Sequence, residues 1–152
     1  MDHTKNYGRL LLMFALHLVA MYVLMYAMVN TAANALPNHN QLYMAALMAS
    51  PMLILELWLM KSMYPNKKWN LVLIAFGILL LATSYLFIRE QTAIGDEQFL
   101  RSMIPHHAGA ILMCEKADLT DPQIHELCAN ILSGQQAEID WMKAKLESIE
   151  PR

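Results

Sequence analysis

The sequence predicts an all-α membrane protein: three transmembrane helices, then an extracytoplasmic two-helix hairpin that pairs with a second copy to form a four-helix bundle. Three observations lead there. Three long apolar runs precede Arg89, and each approaches the roughly 20 residues that a helix needs to cross a bilayer. The chain of 152 residues is 57% hydrophobic, with a mean hydropathy of +0.30, more apolar than the roughly 45–50% of ordinary soluble domains. After Arg89 the composition turns acidic and polar, and the apolar residues that remain recur at helical spacing.

The first run extends from about Arg9 to Asn30. It is too long for the apolar segment of a cleaved signal peptide, and two similar runs follow it. A polar loop from Thr31 to Gln41, with Pro37 and His39, leads to the second run, about Leu42 to Tyr64, and the third covers about Trp69 to Ile88. Tyr43, Trp58, Tyr64, Trp69 and Tyr85 lie near the ends, where amphipathic rings anchor helices at the lipid–water boundary. Residues 1–89 thus form a membrane domain with spans near 9–30, 42–64 and 69–88, and 90–152 a separate polar segment. Lys5 and Arg9 precede the first span, Lys61, Lys67 and Lys68 separate the second from the third, and the loop between the first two has no Lys or Arg. The positive-inside rule therefore places the N-terminus in the cytoplasm and everything after Arg89 in the periplasm or outside the cell, as in a bacterial inner (plasma) membrane.

The polar segment reads as two helices. The first runs from about 96 to 118, with Asp96 as its cap; the second runs from 122 to 148, with Asp121 as cap and Pro122 in the first helical position. Two helices alone bury too little surface for a stable core, so the reading requires a homodimer or higher homo-oligomer.

The first helix carries the chemistry. Phe99, Met103, His106, Ala110, Met113 and Ala117 follow steps of four and three along one face, and Leu100, Ile104, His107, Ile111 and Cys114 form a second stripe beside it. Thioether sulfur with imidazole is the donor set that soft Cu(I), and also Ag(I), prefers over hard cations. Pro105 falls inside this helix, where it should kink it and expose carbonyls beside the two imidazoles. On the second helix the apolar seam takes Ile124, Cys128, Ile131, Gln135, Glu138 and Met142, with Leu132, Ile139 and Leu146 adjoining. Gln135 and Glu138 interrupt that seam with groups that can orient metal-bound imidazoles. Met142 should approach Phe99. His125 and Cys128 share a face, and Cys114 and Cys128 are equidistant from the turn. A disulfide and thiolate ligation both remain open for that pair.

Methionine is abundant throughout, at 13 residues. Met13, His17, Met21, Met25 and Met28 run along the first span, and Met44, Met48, Met52, Glu56, Met60 and Met63 along the second. As lipid-facing filler such residues are unremarkable. As a soft-donor lining, His17, Met21, Met25, Met48, Met52 and Glu56 would mark a path for Cu(I). Glu56 is the sharpest feature, since an intramembrane carboxylate needs a partner; His17 is the expected one. Pro51, one turn earlier, should bend the helix and free a carbonyl.

The string Met103-Ile-Pro-His106-His107, with Met113 and then Gln135, Glu138-Ile139 and Met142 on the following helix, resembles the domain of unknown function 305 family. Asp96 and Phe99 fit that family's lead-in. This chain departs from it at Ala108, where a Gln is common, and at Cys114, where a small residue is common. The resemblance covers the last third of the chain. It implies a ferritin-like helical bundle, often exported, linked in several members to copper binding and copper resistance, with Met103, His106, His107, Met113 and Met142 as the ligands. Members often have two such hairpins in tandem; the single one here again favours pairing between chains.

The expected function is therefore a membrane-anchored copper-binding protein for buffering or delivery. A Cu(I) transport subunit and a metal-free helical assembly module are the alternatives. No enzyme is expected: a di-iron carboxylate centre needs several Glu and a Glu-x-x-His pair that these helices lack. A net charge of -2 gives no nucleic-acid footprint.

Overall fold

The computed structural model describes residues 3–149, and every described element is helical. Five α-helices follow one another: α1 (His3–Leu24), α2 (His39–Leu59), α3 (Lys67–Glu90), α4 (Asp96–Lys116) and α5 (Pro122–Ile149). Short 3-10 turns at Met25–Met28 and Ala32–Asn34 lie between α1 and α2. The first three helices, α1 with its 3-10 extension to Met28, are long and apolar enough to cross a membrane. The chain divides into two compact units. One holds the described residues up to Met25 with Asn40–Thr92; the other joins Tyr26–His39 to the described residues from Ala93 onward.

In the first unit, Leu10 and Phe14 of α1 meet Ala49, Leu53 and Leu57 of α2, Tyr64 of the following loop and Leu73 of α3. Hydrogen bonds tie one end of this bundle. The Tyr7 hydroxyl donates to Asn70 Oδ1 at 2.7 Å, and the Asn70 side chain donates to the Tyr64 carbonyl at 2.8 Å. Gly77 sets the approach of α3 to α2, since a Cβ there would lie 3.2 Å from Ile54 Cγ1 and 3.4 Å from the Ser50 carbonyl. α2 continues through Pro51. A proline cannot donate to the carbonyl four residues back, here Leu47. The buried Ser50 hydroxyl reaches that carbonyl at 3.1 Å and the neighbouring Ala46 carbonyl at 2.9 Å.

The membrane-half expectations fare unevenly. Met48 is half exposed, and Met13, Met28, Met44, Met60 and Met63 also present substantial surface. Met21, Met25, Met52 and His17 are partly buried. Leucines, an alanine and the rings of Phe14 and Tyr64 form the interior instead. Glu56 meets the Tyr64 hydroxyl, 3.5 Å away, and not His17. Glu56 stands one turn from the end of α2, so the chain that folds back after Leu59 supplies the nearest polar group.

The second unit is built on α4 and α5. Leu100, Ile104, Ala108 and Ile111 pack against Ile139, Met142 and Leu146, with Val29, Leu36, Met103 and Leu132 around them. The buried stripe of α4 is therefore the one through Leu100, Ile104, His107 and Ile111. On the stripe through Phe99, Met103, His106, Ala110 and Met113, the members Phe99, His106 and Met113 are exposed. The former stripe is the more continuous in branched aliphatics, so it carries the larger burial term. Likewise Ile139 and Leu146, adjoining the expected seam of α5, form its core with Met142, whereas Ile124 is exposed.

The α4 cap also differs from expectation. Gly95 is the cap residue, and Asp96 and Glu97 occupy the first turn, where carboxylates oppose the helix dipole. Asp121 does cap α5, accepting from the Gln123 and Ile124 amides at 2.8 and 3.3 Å.

Val29 and Leu36 come from Tyr26–His39, so the loop between the first two spans helps to cover the hairpin. The same segment repairs α4, which runs unbroken through Pro105. The Arg101 carbonyl, four residues before that proline, accepts from the side chain of buried Asn38 at 3.4 Å. Gly109 lies against the same segment, its added Cβ position 3.6 Å from the Met28 carbonyl.

Candidate metal site

His107 occupies the buried stripe of α4 and is 7% exposed. A buried imidazole needs partners for both nitrogens, and it has them. Nδ1 lies 2.9 Å from the Met103 carbonyl one turn back, and Nε2 lies 2.6 Å from Glu138 Oε2 on α5. A hydrogen donated from Nδ1 to the carbonyl leaves Nε2 as the nitrogen that faces Glu138. The Glu138 side chain is 63% exposed, so the pair joins the core to the surface.

This pair stands at a cleft of about 380 Å³ lined by Phe99, Leu100, Met103 and His107 of α4 and by Ala137, Glu138, Trp141 and Met142 of α5. Antiparallel packing produces the gathering. Residues one turn apart on α4 (Phe99, Met103, His107) face residues one turn apart on α5 (Glu138, Met142), and Ala137 is too small to fill the gap. The cleft thus combines two thioethers and one imidazole, with a carboxylate beside the imidazole.

The expected ligands divide accordingly. Met103, His107 and Met142 share the cleft, and Phe99 belongs to the same lining as Met142. His106, next to His107 but turned about 100° around the helix, is exposed; their ring centroids are 6.0 Å apart. Met113 is 54% exposed and lies outside the cleft lining. Glu138 contacts an imidazole, as its place in the seam suggested. Gln135 does not: its Oε1 is buried without a hydrogen-bond partner. Cys114 and Cys128 are joined in a disulfide, with Cα atoms 5.4 Å apart, which removes both thiolates as ligands. His125 Nε2 lies 2.7 Å from the Leu119 carbonyl, where it closes the α4–α5 turn. Among the described residues no three or more His, Cys, Asp and Glu converge.

Trp141 is the residue that the sequence reading missed. Its only sequence signal is position, adjacent to Met142 and three residues after Glu138, and helical neighbours at that spacing share a face.

Comparison with known proteins places the cleft within one family domain. A model of a domain of unknown function (DUF305) matches residues 88–146, which contain the whole cleft. An uncharacterized protein of Acanthamoeba polyphaga mimivirus is 33% identical over 145 residues, 93% of each chain. The chain belongs to the DUF305 family. Coverage that extensive takes in the three apolar helices as well as the hairpin, so this DUF305 protein and its viral relative share both parts. No solved structure matches the chain.

Proposed function

We propose that this DUF305 protein is a membrane-anchored binder of soft monovalent metal, Cu(I) or Ag(I), serving copper buffering or delivery. The observation that carries the reading is the convergence of Met103, Met142 and His107 on one cleft. These donors suit a soft ion: thioether sulfur is a weak ligand for hard cations and a good one for Cu(I). Of the resemblance's five ligands, the cleft supports these three. His107 Nε2 would bind, with Nδ1 held by the Met103 carbonyl to fix the ring. A metal on Nε2 would displace the Glu138 carboxylate from that nitrogen, and Glu138, largely exposed, has room to turn aside. A bound ion supplies no reaction of its own here; the chain holds it and shields it from water.

The positively charged N-terminal region and Lys61–Lys68 loop support a cytoplasmic N-terminus with the hairpin on the opposite side, and the disulfide suits an oxidising compartment there. The viral relative gives no support to a bacterial membrane in particular. Pairing of two copies is part of the proposal. Phe99, Met113, Ile124 and Leu127 of the hairpin are half exposed, an apolar surface that a second hairpin would cover.

The test is competition for Ag(I) and Cu(I) against a chromophoric chelator, with the full chain in lipid nanodiscs. Met103→Leu, Met142→Leu and His107→Ala should each weaken binding at least about tenfold, whereas His106→Ala and Met113→Leu should leave it within about twofold. Equal affinity in the wild type and the triple variant would remove the site.

A further inference from the structure

Trp141 is large, apolar and 64% exposed, yet it is held at the lining of the cleft that also holds the three proposed donors, Met103, His107 and Met142. Exposing an indole beside an empty position one turn earlier, Ala137, gives up burial that a turn of α5 would otherwise gain. Phe99, half exposed, stands in the same lining on the opposite helix. The electron-rich face of an aromatic ring attracts a cation within about 6 Å of its centroid, and Trp does so best. A monovalent ion held by two neutral thioethers and an imidazole keeps its full positive charge, which makes a ring face a favourable neighbour.

We propose that the Trp141 indole closes over the metal in this cleft and contacts it through its π-face, so that the site is three donors with an aromatic lid. The proposal rests on the metal-binding reading above and adds a fourth contacting residue. The lid replaces water on the open side of the ion and leaves no room for a further external ligand. It favours monovalent soft ions over divalent ones, which need more donors than the cleft supplies. Because Trp141 is exposed, replacing it does not disturb the packing of Ile104, Ile139 and Met142.

The chain has three tryptophans. The experiment therefore uses full-length protein in nanodiscs with Trp58→Phe and Trp69→Phe, leaving Trp141 as the one indole. Silver nitrate in chloride-free buffer is the probe, since Ag(I) does not change oxidation state on binding. Chelator competition gives the affinity, and the indole absorption and emission report contact. Saturating Ag(I) should quench Trp141 emission and perturb the long-wavelength edge of its absorption, both reaching completion at the stoichiometry set by competition. Trp141→Leu should bind roughly three- to thirtyfold more weakly, and Trp141→Phe should fall between it and the parent.

Thioether-dependent Ag(I) binding with an unchanged Trp141 spectrum and an unchanged affinity in Trp141→Leu would overturn the lid and leave the metal site standing. Absence of thioether-dependent binding would overturn both. A spectral change that persists in Met103→Leu/Met142→Leu would place Ag(I) on the indole outside the donor set and would also overturn the lid.

Discussion

Two prolines inside helices are each answered by one polar side chain, and each answer can be tested at the level of a single hydrogen bond. Asn38 donates to the Arg101 carbonyl that Pro105 cannot serve, and Ser50 shares its hydroxyl hydrogen between the Leu47 carbonyl that Pro51 cannot serve and the Ala46 carbonyl. Removing either side chain leaves a carbonyl short of a donor, a cost of about 1–3 kcal/mol where water is excluded. Asn38→Ala should lower the thermal midpoint of the hairpin unit. In a Pro105→Ala background, where residue 105 supplies its own amide hydrogen, most of that loss should vanish. The same cycle applies to Ser50→Ala and Pro51→Ala, measured by thermal unfolding in detergent. Losses that simply add would refute the repair. Sequence announced half of this device. The prolines and the carbonyls they orphan follow from position, and Ser50 is adjacent to its proline. Asn38 is not: its contact spans 63 residues, and no local period encodes such a pairing. The same holds for the candidate metal site. Met103, His107, Glu138 and Met142 were legible by motif, but which of two neighbouring stripes on α4 faces inward depends on the partner helix, so His106 and Met113 could not be separated from His107 and Met103 in advance.

Among the elements, the α4–α5 hairpin is unevenly held. Its core residues run from Leu100 to Ile111 on one helix and from Ile139 to Leu146 on the other, and none of these lies in the last turn of α4 or the first half of α5. Near the turn, Ile124 and Leu127 are exposed and little apolar surface is buried. The Cys114–Cys128 disulfide compensates there, closing a loop with a sequence separation of 14. A loop of that size contributes about 3 kcal/mol through the unfolded state. Reduction, or Cys114→Ser with Cys128→Ser, should therefore lower hairpin stability by about that amount. Amide exchange should speed up between Glu115 and Leu127 while amides near Ile104 and Ile139 stay protected. Uniform acceleration along both helices would show that the bridge supports the core as well. The candidate metal cleft lies at the other end of the hairpin, so Ag(I) affinity in Cys114→Ser/Cys128→Ser, which has no thiol to compete, should stay within about threefold of the parent. On the membrane side, Gly77→Leu should prevent the close approach of α3 to α2, since the Ser50 carbonyl cannot move aside as Ile54 can. Helix number and approximate bounds were readable throughout, because long runs and a 3.6-residue period are strong signals. The α4 cap was not, since Gly95 and Asp96 both suit a helix start.

At the scale of the whole molecule, the second unit joins two stretches, Tyr26–His39 and the region after Ala93, that are separated in sequence by α2 and α3. If α2 and α3 both cross the bilayer, the chain returns to the side it left, and the two stretches can meet. That argument uses connectivity alone. The positive-inside rule uses charge alone, and it too puts the 31–41 loop and the hairpin on one side, opposite Lys61, Lys67 and Lys68. Neither consideration depends on the other, which makes the joint outcome a demanding one. In right-side-out vesicles, with the native disulfide intact, a membrane-impermeant maleimide should label Thr31→Cys and Glu147→Cys but reach Lys67→Cys only after the bilayer is permeabilised. Labelling of Thr31→Cys and Glu147→Cys from opposite sides would break the second unit apart, because one of the two spans could not then cross. Labelling of Lys67→Cys alone from outside would preserve the unit and invert the molecule, moving the soft-metal cleft into the cytoplasm, where the Cys114–Cys128 bridge would face a reducing pool.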